Sequence, residues 1–166
     1  MKHPFGYKAW ANGEMLAAVA RIDATSHPEQ RRAAIRVLNH TWVVDRIFAA
    51  HLAGESHGYT ATNTEQTPEL DELAEAIRGS DRWYLDYVAS VTPAQLAETV
   101  HFQFTDGQKG AMTRTEMLFH VLAHGANHRG NIGMILNDCG VSRPKETFAR
   151  YLHAAEPERR LASSEA

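Results

Sequence analysis

Four long segments of the sequence carry apolar residues at the three- and four-residue spacing of an amphipathic helix. They cover about residues 4–22, 28–53, 68–91 and 113–138. Stretches rich in polar residues, glycine or proline separate them, as expected of connections. Each predicted helix has an apolar stripe that must be buried against another element. The pattern therefore predicts an all-α protein, an antiparallel four-helix bundle.

Capping residues predict where several of these helices begin and end. Ser26 is the expected N-cap of the second helix, with Pro28 in its first turn. Gly54 is a natural stop for that helix, because glycine readily adopts the left-handed conformation that ends a helix. Thr113 and Glu116 have the spacing of a capping box, so the fourth long helix is expected to begin there.

Two further elements are predicted outside the long helices. Val100, Phe102 and Phe104 alternate with polar residues, and Asp106-Gly107 is a hairpin turn signal. We therefore predict a short two-stranded β-hairpin before the last long helix. The segment KETFARYL, residues 145–152, predicts a short helix ahead of a polar C-terminal tail. Residues 54–67 are expected to form a loop.

Length and composition limit the classes of protein to consider. The chain has 166 residues in one compositional regime, which predicts a single domain over residues 1–166 with its core in about 5–152. The formal net charge of −3 argues against a nucleic-acid partner. The single cysteine, Cys139, permits no intramolecular disulfide. No signal peptide or apolar run long enough for a bilayer is found, so we expect a cytoplasmic protein without a membrane partner.

Histidine is the unusual component, with ten residues in the chain. His120, His124 and His128 follow one another at four-residue intervals on the fourth long helix. Two histidines one turn apart can bind the same metal ion, whereas the first and third of this set lie too far apart along the helix. A third ligand must come from elsewhere. His40, within the apolar stripe of the second helix, is the best candidate, and His51 is a weaker one.

Three neutral imidazoles around one divalent ion leave coordination positions open, as in a catalytic rather than a structural metal site. A donor set without thiolate or carboxylate suits zinc or nickel, and less firmly iron or copper. The plain alternative is that these histidines are surface or hydrogen-bonded residues without a metal.

Several segments resemble the DinB (damage-inducible) family. LFHVLAHGANHRGNIGMILNDCGV is similar to its signature helix, VLNHTWVVDRIF to the helix that supplies the remaining ligand, and YKAWAN and FTDGQKGAMTRTEML also match its pattern. The resemblance covers roughly residues 5–152 and places the family's metal ligands on His40, His124 and His128. His120 matches a histidine with a neighbouring role. Where members often have an acidic residue and glutamine, this sequence has Gly125 and Asn131.

The resemblance implies a DinB-type four-helix bundle, a homodimer, and a divalent metal such as zinc or nickel. Better-characterised relatives are transferases or isomerases that depend on bacillithiol or mycothiol. The leading hypothesis is therefore a metal-dependent thiol S-transferase acting on electrophilic small molecules, because a bound dication favours the reactive thiolate. Catalytic and thiol-binding residues are not assigned. Arg46 and Arg129 could hold carboxylates of the thiol, but we expect both at the surface.

Two rival hypotheses remain. The first is a metal-dependent hydrolase, in which metal-bound water attacks the substrate. Gly125 stands where a zinc peptidase needs glutamate, so another base such as Asp45 or Glu116 would be required, although helix carboxylates are more often surface charges or caps. The second is a non-enzymatic stress-related protein with a structural metal. A di-iron oxygenase is disfavoured because Glu98 and His101, the one Glu-x-x-His pair, fall in the predicted hairpin.

Overall fold

The computed structural model describes residues 1–160 and is predominantly helical. The elements are α1 (Lys2–Ala20), α2 (Pro28–Ala53), α3 (Leu70–Ser90), α4 (Pro93–Leu96), β1 (Thr99–Gln103), β2 (Lys109–Thr113), α5 (Arg114–Asp138) and α6 (Phe148–Ala155), followed by a 3-10 turn over Pro157–Arg159. The all-α bundle with a short hairpin is confirmed. The last six positions of the predicted polar tail, 161–166, lie outside the described residues.

Local sequence explains most helix boundaries. The Thr113 side chain accepts a hydrogen bond from the Glu116 backbone N–H, and the Glu116 carboxylate accepts one from the Thr113 N–H. This reciprocal pair confirms the predicted capping box. Gly54 ends α2 with a left-handed φ of 73°. The predicted N-cap of α2 was wrong: His27 holds that position, and Ser26 belongs to a turn whose backbone N–H groups bind the Asp23 carboxylate.

The hairpin pairs β1 with β2 in antiparallel register, with His101 opposite Ala111 and Phe102 opposite Gly110. Phe102 of β1 is buried against Phe48 and His51 of α2, and β2 contacts α5, so the hairpin has a helix surface to pack on and need not be stable alone. The four-residue helix α4 was not predicted. Its Thr92–Gln95 capping box is short-range and easily overlooked after a long helix.

The helices bury two separate apolar clusters. One joins the C-terminal half of α1 and the N-terminal halves of α2 and α3 to the C-terminal end of α5; the other joins the opposite ends, including Phe5, Phe48, Tyr84 and Leu118. It follows that α2 and α3 run in the same direction. Residues 54–69 therefore form a crossover that returns along α2, instead of the short connection expected between antiparallel neighbours.

Among the described residues, no helix is both long enough and apolar enough to cross a membrane.

Candidate metal centre

Three histidine side chains from two helices meet on one side of the bundle. His40 comes from the middle of α2, and His124 and His128 come from successive turns of α5. The Nε2 atoms of His40 and His124 are 3.1 Å apart. Each of the three side chains offers a ring nitrogen that lies within 4.8 Å of the other two. The structure thus brings together the three residues that the sequence analysis singled out.

A backbone carbonyl orients the His40 ring. Its Nδ1 lies 2.7 Å from the Thr62 carbonyl oxygen, which can only accept, so Nδ1 carries the proton and donates it. The neutral ring then has its lone pair on Nε2, the atom that faces His124. Hydrogen bonding of one imidazole nitrogen to a carbonyl is the usual way in which proteins fix a metal-binding tautomer.

The crossover that supplies this carbonyl is anchored to α2 by the two residues that follow Thr62. Arg36 donates to the Thr64 carbonyl oxygen at 2.6 Å, and Asn63 donates to the Arg36 carbonyl oxygen at 3.1 Å. Asn39, which is 1% exposed, donates to the side chains of both Asn63 and Thr64. This Asn39–Asn63 clamp holds the backbone of residues 62–64 against the turn of α2 that carries His40.

The cluster favours neutral imidazoles. Burial, followed by the charges of His128 and His40, lowers the pKa of His124 to about 3. Burial and His40 also lower the pKa of His128. Metal ions bind the neutral form of histidine, so at neutral pH these two rings need not lose a proton before they can coordinate.

The residues present fit a divalent ion. Two nitrogens that share one ion at 2.0–2.1 Å in tetrahedral geometry lie about 3.3 Å apart, close to the 3.1 Å that separates the Nε2 atoms of His40 and His124. If no cation lay between them, a hydrogen bond between these two nitrogens would need a proton on one and a lone pair on the other. The set contains no thiolate or carboxylate, and imidazole donors of this kind suit divalent transition-metal ions.

Two other histidines of the sequence analysis lie nearby but outside the cluster. The His120 ring stacks between Phe48, with ring centroids 4.6 Å apart, and His124, at 5.5 Å. His51, the weaker ligand candidate, lies instead against His57 and Phe102, each with ring centroids 5.0 Å away. His120 is therefore a neighbour of the cluster, as expected, and His51 is not part of it.

The positions that depart from the usual family pattern have clear surroundings. Gly125 is buried beside Thr41 of α2 and the Arg129 guanidinium, and a Cβ atom there would be 3.2 Å from a terminal nitrogen of Arg129. The Asn131 amide nitrogen lies 3.4 Å from Nδ1 of His128. Position 131 thus contacts the outer face of a cluster histidine, whereas position 125 offers no acid or base.

Beneath the cluster is a buried layer of charged residues that sequence reasoning missed. Lys8 lies 2.6 Å from Asp45 and 2.7 Å from Asp81, and Asn12 bridges Asp81 to Arg129. The signal was present in α1, because Lys8 and Asn12 share the three- and four-residue spacing of its apolar stripe. Polar residues at such positions must find buried partners.

Two expectations about charged residues were wrong, because both residues belong to this buried layer. Arg129 was expected at the surface but is 3% exposed, and Asp45 was discussed as a surface charge or a base but is 2% exposed. Periodicity shows that a residue faces the core, but it does not show which residue of another helix pairs with it. Because Arg129 is enclosed, it cannot hold the carboxylates of a thiol. Arg46 is exposed and Glu116 is a cap, as expected.

The electrostatics of this layer follow from burial. Burial raises the pKa of Asp45 to about 6, although the charge of Lys8 opposes the shift. For Lys8, burial lowers the pKa, but the two carboxylates outweigh it and the net pKa is raised. Asp45 is therefore mostly ionised at pH 7, when two cations face two carboxylates in the layer. Burial also raises the pKa of Cys139, which packs as a small apolar residue on the cluster that includes the C-terminal half of α1 and the C-terminal end of α5.

The sequence profile of the DinB family matches residues 1–160. The chain belongs to the DinB family. It is also similar to Protein DinB of Bacillus subtilis (strain 168), with 23% identity over 166 aligned positions that span 93% of this chain and 95% of that protein. No solved structure matches this DinB-family chain significantly.

Proposed function

We propose that this DinB-family protein binds one divalent ion, zinc or nickel, through His40, His124 and His128, and uses it in thiol S-transfer to an electrophilic small molecule. The observation that carries the proposal is the convergence of three imidazoles beside a cavity that His40 and His124 help to line. A closed structural site would instead need a fourth protein ligand and no access.

When bound, the ion supplies a positive centre that favours thiolate over thiol at neutral pH. The thiol loses its proton to water, its sulfur forms a bond to the electrophilic carbon, and the leaving group departs with the bonding electrons. The chain contributes neutral nitrogen donors, the Thr62 carbonyl that orients His40, and an apolar wall that limits access of water. The low-molecular-weight thiol is the cofactor, and bacillithiol and mycothiol are the first candidates.

Metal content is the first test. Protein purified without chelators should retain about one divalent ion per chain by elemental analysis, and His124→Ala should lose it. A protein that still contains no metal after incubation with zinc and with nickel would contradict the proposal.

The reaction is the second test. The protein is incubated with 1-chloro-2,4-dinitrobenzene and, in turn, bacillithiol, mycothiol, glutathione and cysteine, and the thioether is followed by absorbance. We expect conjugation above the uncatalysed rate with at least one thiol and its loss in His124→Ala. A metal-loaded protein that is inactive with every thiol and across other electrophile classes would instead support the structural-metal alternative.

A further inference from the structure

We infer that the cavity between α2, α5 and the hairpin binds an aromatic or similarly flat apolar group of the electrophilic substrate, next to the histidine cluster. That the bound molecule is a substrate rests on the proposed function, but the cavity and its chemistry are independent of the reaction. The substrate class is therefore small molecules with a phenyl-sized apolar part adjacent to the reacting atom.

The cavity has a volume of about 220 Å³, and His40 and His124 form part of its wall. Most of the remaining lining is carbon, from Val44, Ile47, Phe48, Phe102 and Phe104. An apolar cavity of about 150 Å³ is large enough for benzene. The space beside the cluster is thus suited to one aromatic ring with a substituent, and too small for a large polar molecule.

Aromatic rings surround this space on several sides. Phe48 stacks on His120 with an interplanar angle of 25°, and Phe102 meets Phe104 edge to face with ring centroids 4.8 Å apart. Offset-stacked and edge-to-face contacts stabilise aromatic pairs beyond the burial of their area. A flat ring is therefore a better occupant than an aliphatic chain of equal volume.

The cavity is lined both by an exposed residue and by the histidine cluster. Phe104, which is 47% exposed, shares its wall with His40 and His124. A second, more open cavity of about 400 Å³ shares His51, Phe102 and Phe104 as walls and adds the polar residues Glu55, Ser56 and Thr60. A substrate with its reacting atom at the cluster would place its apolar ring in the first cavity and a polar remainder in the second.

The first experiment compares two hydroxamic acids by calorimetry on the zinc-loaded protein. Acetohydroxamate and benzohydroxamate bind metal through the same group and differ in a methyl against a phenyl group. We expect benzohydroxamate to have a Kd at least about tenfold lower, because burial of a phenyl ring strengthens binding by that order. Equal Kd values for the two compounds would overturn the inference.

Variants locate the effect. Thr105 lines the cavity, so Thr105→Trp should fill it and reduce the ratio of Kd values to about 1–2, whereas Lys109→Trp, on an exposed position of the same hairpin, should leave the ratio unchanged. Phe104→Ala removes an exposed wall without a core defect and should also lower the ratio. A folded Thr105→Trp protein that keeps the full preference for the phenyl group would place the ring elsewhere and refute the inference.

A further measurement needs neither metal nor thiol. Toluene titrated into the purified protein should shift the NMR signals of Phe48 and Phe102 in the wild type and not in Thr105→Trp; unshifted signals in the wild type would refute the cavity as an aromatic site. If the protein shows the expected preference for the phenyl group and the expected toluene shifts but no conjugation activity, the proposed reaction alone would be refuted.

Discussion

At the scale of single residues, His124 is the centre of the histidine cluster. Its ring lies next to those of His40, His120 and His128, with ring centroids 4.4 to 5.5 Å away. Of its neighbours on α5, His128 offers a nitrogen to the common point and His120 does not. The four-residue repeat thus contains two kinds of histidine, and this difference can be tested by substitution.

We expect His124→Ala to abolish tight binding of zinc, because two remaining imidazoles hold a divalent ion far more weakly than three. His120→Ala removes the adjacent ring and should retain about one ion per chain, as should His27→Ala, at the distant start of α2. Elemental analysis and competition with a chromophoric chelator measure the difference. Equal affinities for His124→Ala and His120→Ala would refute the ligand assignment.

Asp45 predicts an unusual dependence of stability on pH. Burial raises its pKa from the ordinary value of 3.8 to about 6 in the folded protein. The folded state therefore binds a proton more tightly than the unfolded state, so the contribution of Asp45 to stability falls as pH rises from about 4 to 6. At roughly 1.4 kcal/mol per pKa unit, the loss is about 3 kcal/mol.

Asp45→Asn, which cannot ionise, should therefore gain about 3 kcal/mol relative to the wild type between pH 4 and pH 7, measured by urea unfolding. Asp23→Asn is a control of opposite sign. Backbone hydrogen bonds from Ser26 and Thr25 lower the pKa of Asp23, so this variant should lose stability relative to the wild type as pH rises through the acidic range. A gap between Asp45→Asn and wild type that is constant with pH would contradict the assigned pKa.

At the scale of elements, the crossover of residues 54–69 takes part in the histidine cluster through the Thr62 carbonyl. Asn63→Ala removes the clamp to Asn39 and the bond to the Arg36 carbonyl, so the Thr62 carbonyl should orient His40 less well. We expect zinc affinity to fall about tenfold, the low end for residues that orient metal ligands.

Gln66→Ala is the matched control, because its exposed side chain makes no hydrogen bond in the described part of the chain. An unchanged zinc affinity in Asn63→Ala would mean that His40 needs no such support.

Most elements could be predicted from local patterns, whereas their pairing could not. The capping box at Thr113, the stop at Gly54 and the turn at Gly107 are all encoded within a few residues, so their positions follow directly from the sequence. The path of residues 54–69 depends on contacts with Arg36 and Asn39, which lie a helix away along the chain. No local pattern encodes such contacts, and the parallel arrangement of α2 and α3 was missed with them.

At the scale of the whole molecule, the buried charged layer separates the two apolar clusters. It contains residues from the middle of α1, α2, α3 and α5. The apolar stripe of the second helix favoured His40 over His51 as the third ligand, and the resemblance to a known family pointed to the same residue. The single domain over residues 1–166 remains a prediction, and so does the homodimer.

The outward side of α5 gives the homodimer prediction a specific form. Phe119 and Met134 are 68% and 63% exposed there. Between them, the helix has small residues on the same side, namely Ala123, Ala126 and Gly130. Phe119 and Met134, and likewise Ala123 and Gly130, are equidistant from the midpoint between residues 126 and 127, so an antiparallel two-fold contact between two copies of α5 would pair them.

We therefore expect a species of twice 18.5 kDa by light scattering, and its conversion to monomer by Phe119→Glu. Phe104→Glu, which changes an exposed phenylalanine on another face, should leave the dimer intact. A monomer at every concentration of wild-type protein would contradict the prediction, and a dimer that survives Phe119→Glu would assign it to another face.

The hydrogen bond from His40 to Thr62 involves a main-chain oxygen, which every amino acid possesses. The threonine can therefore be replaced without disturbing the imidazole. An alignment of homologues need show no preferred residue at position 62. What the contact does constrain is the number of residues between Gly54 and Asn63. Insertions and deletions in that stretch, more than replacements, should be the changes that natural selection removes.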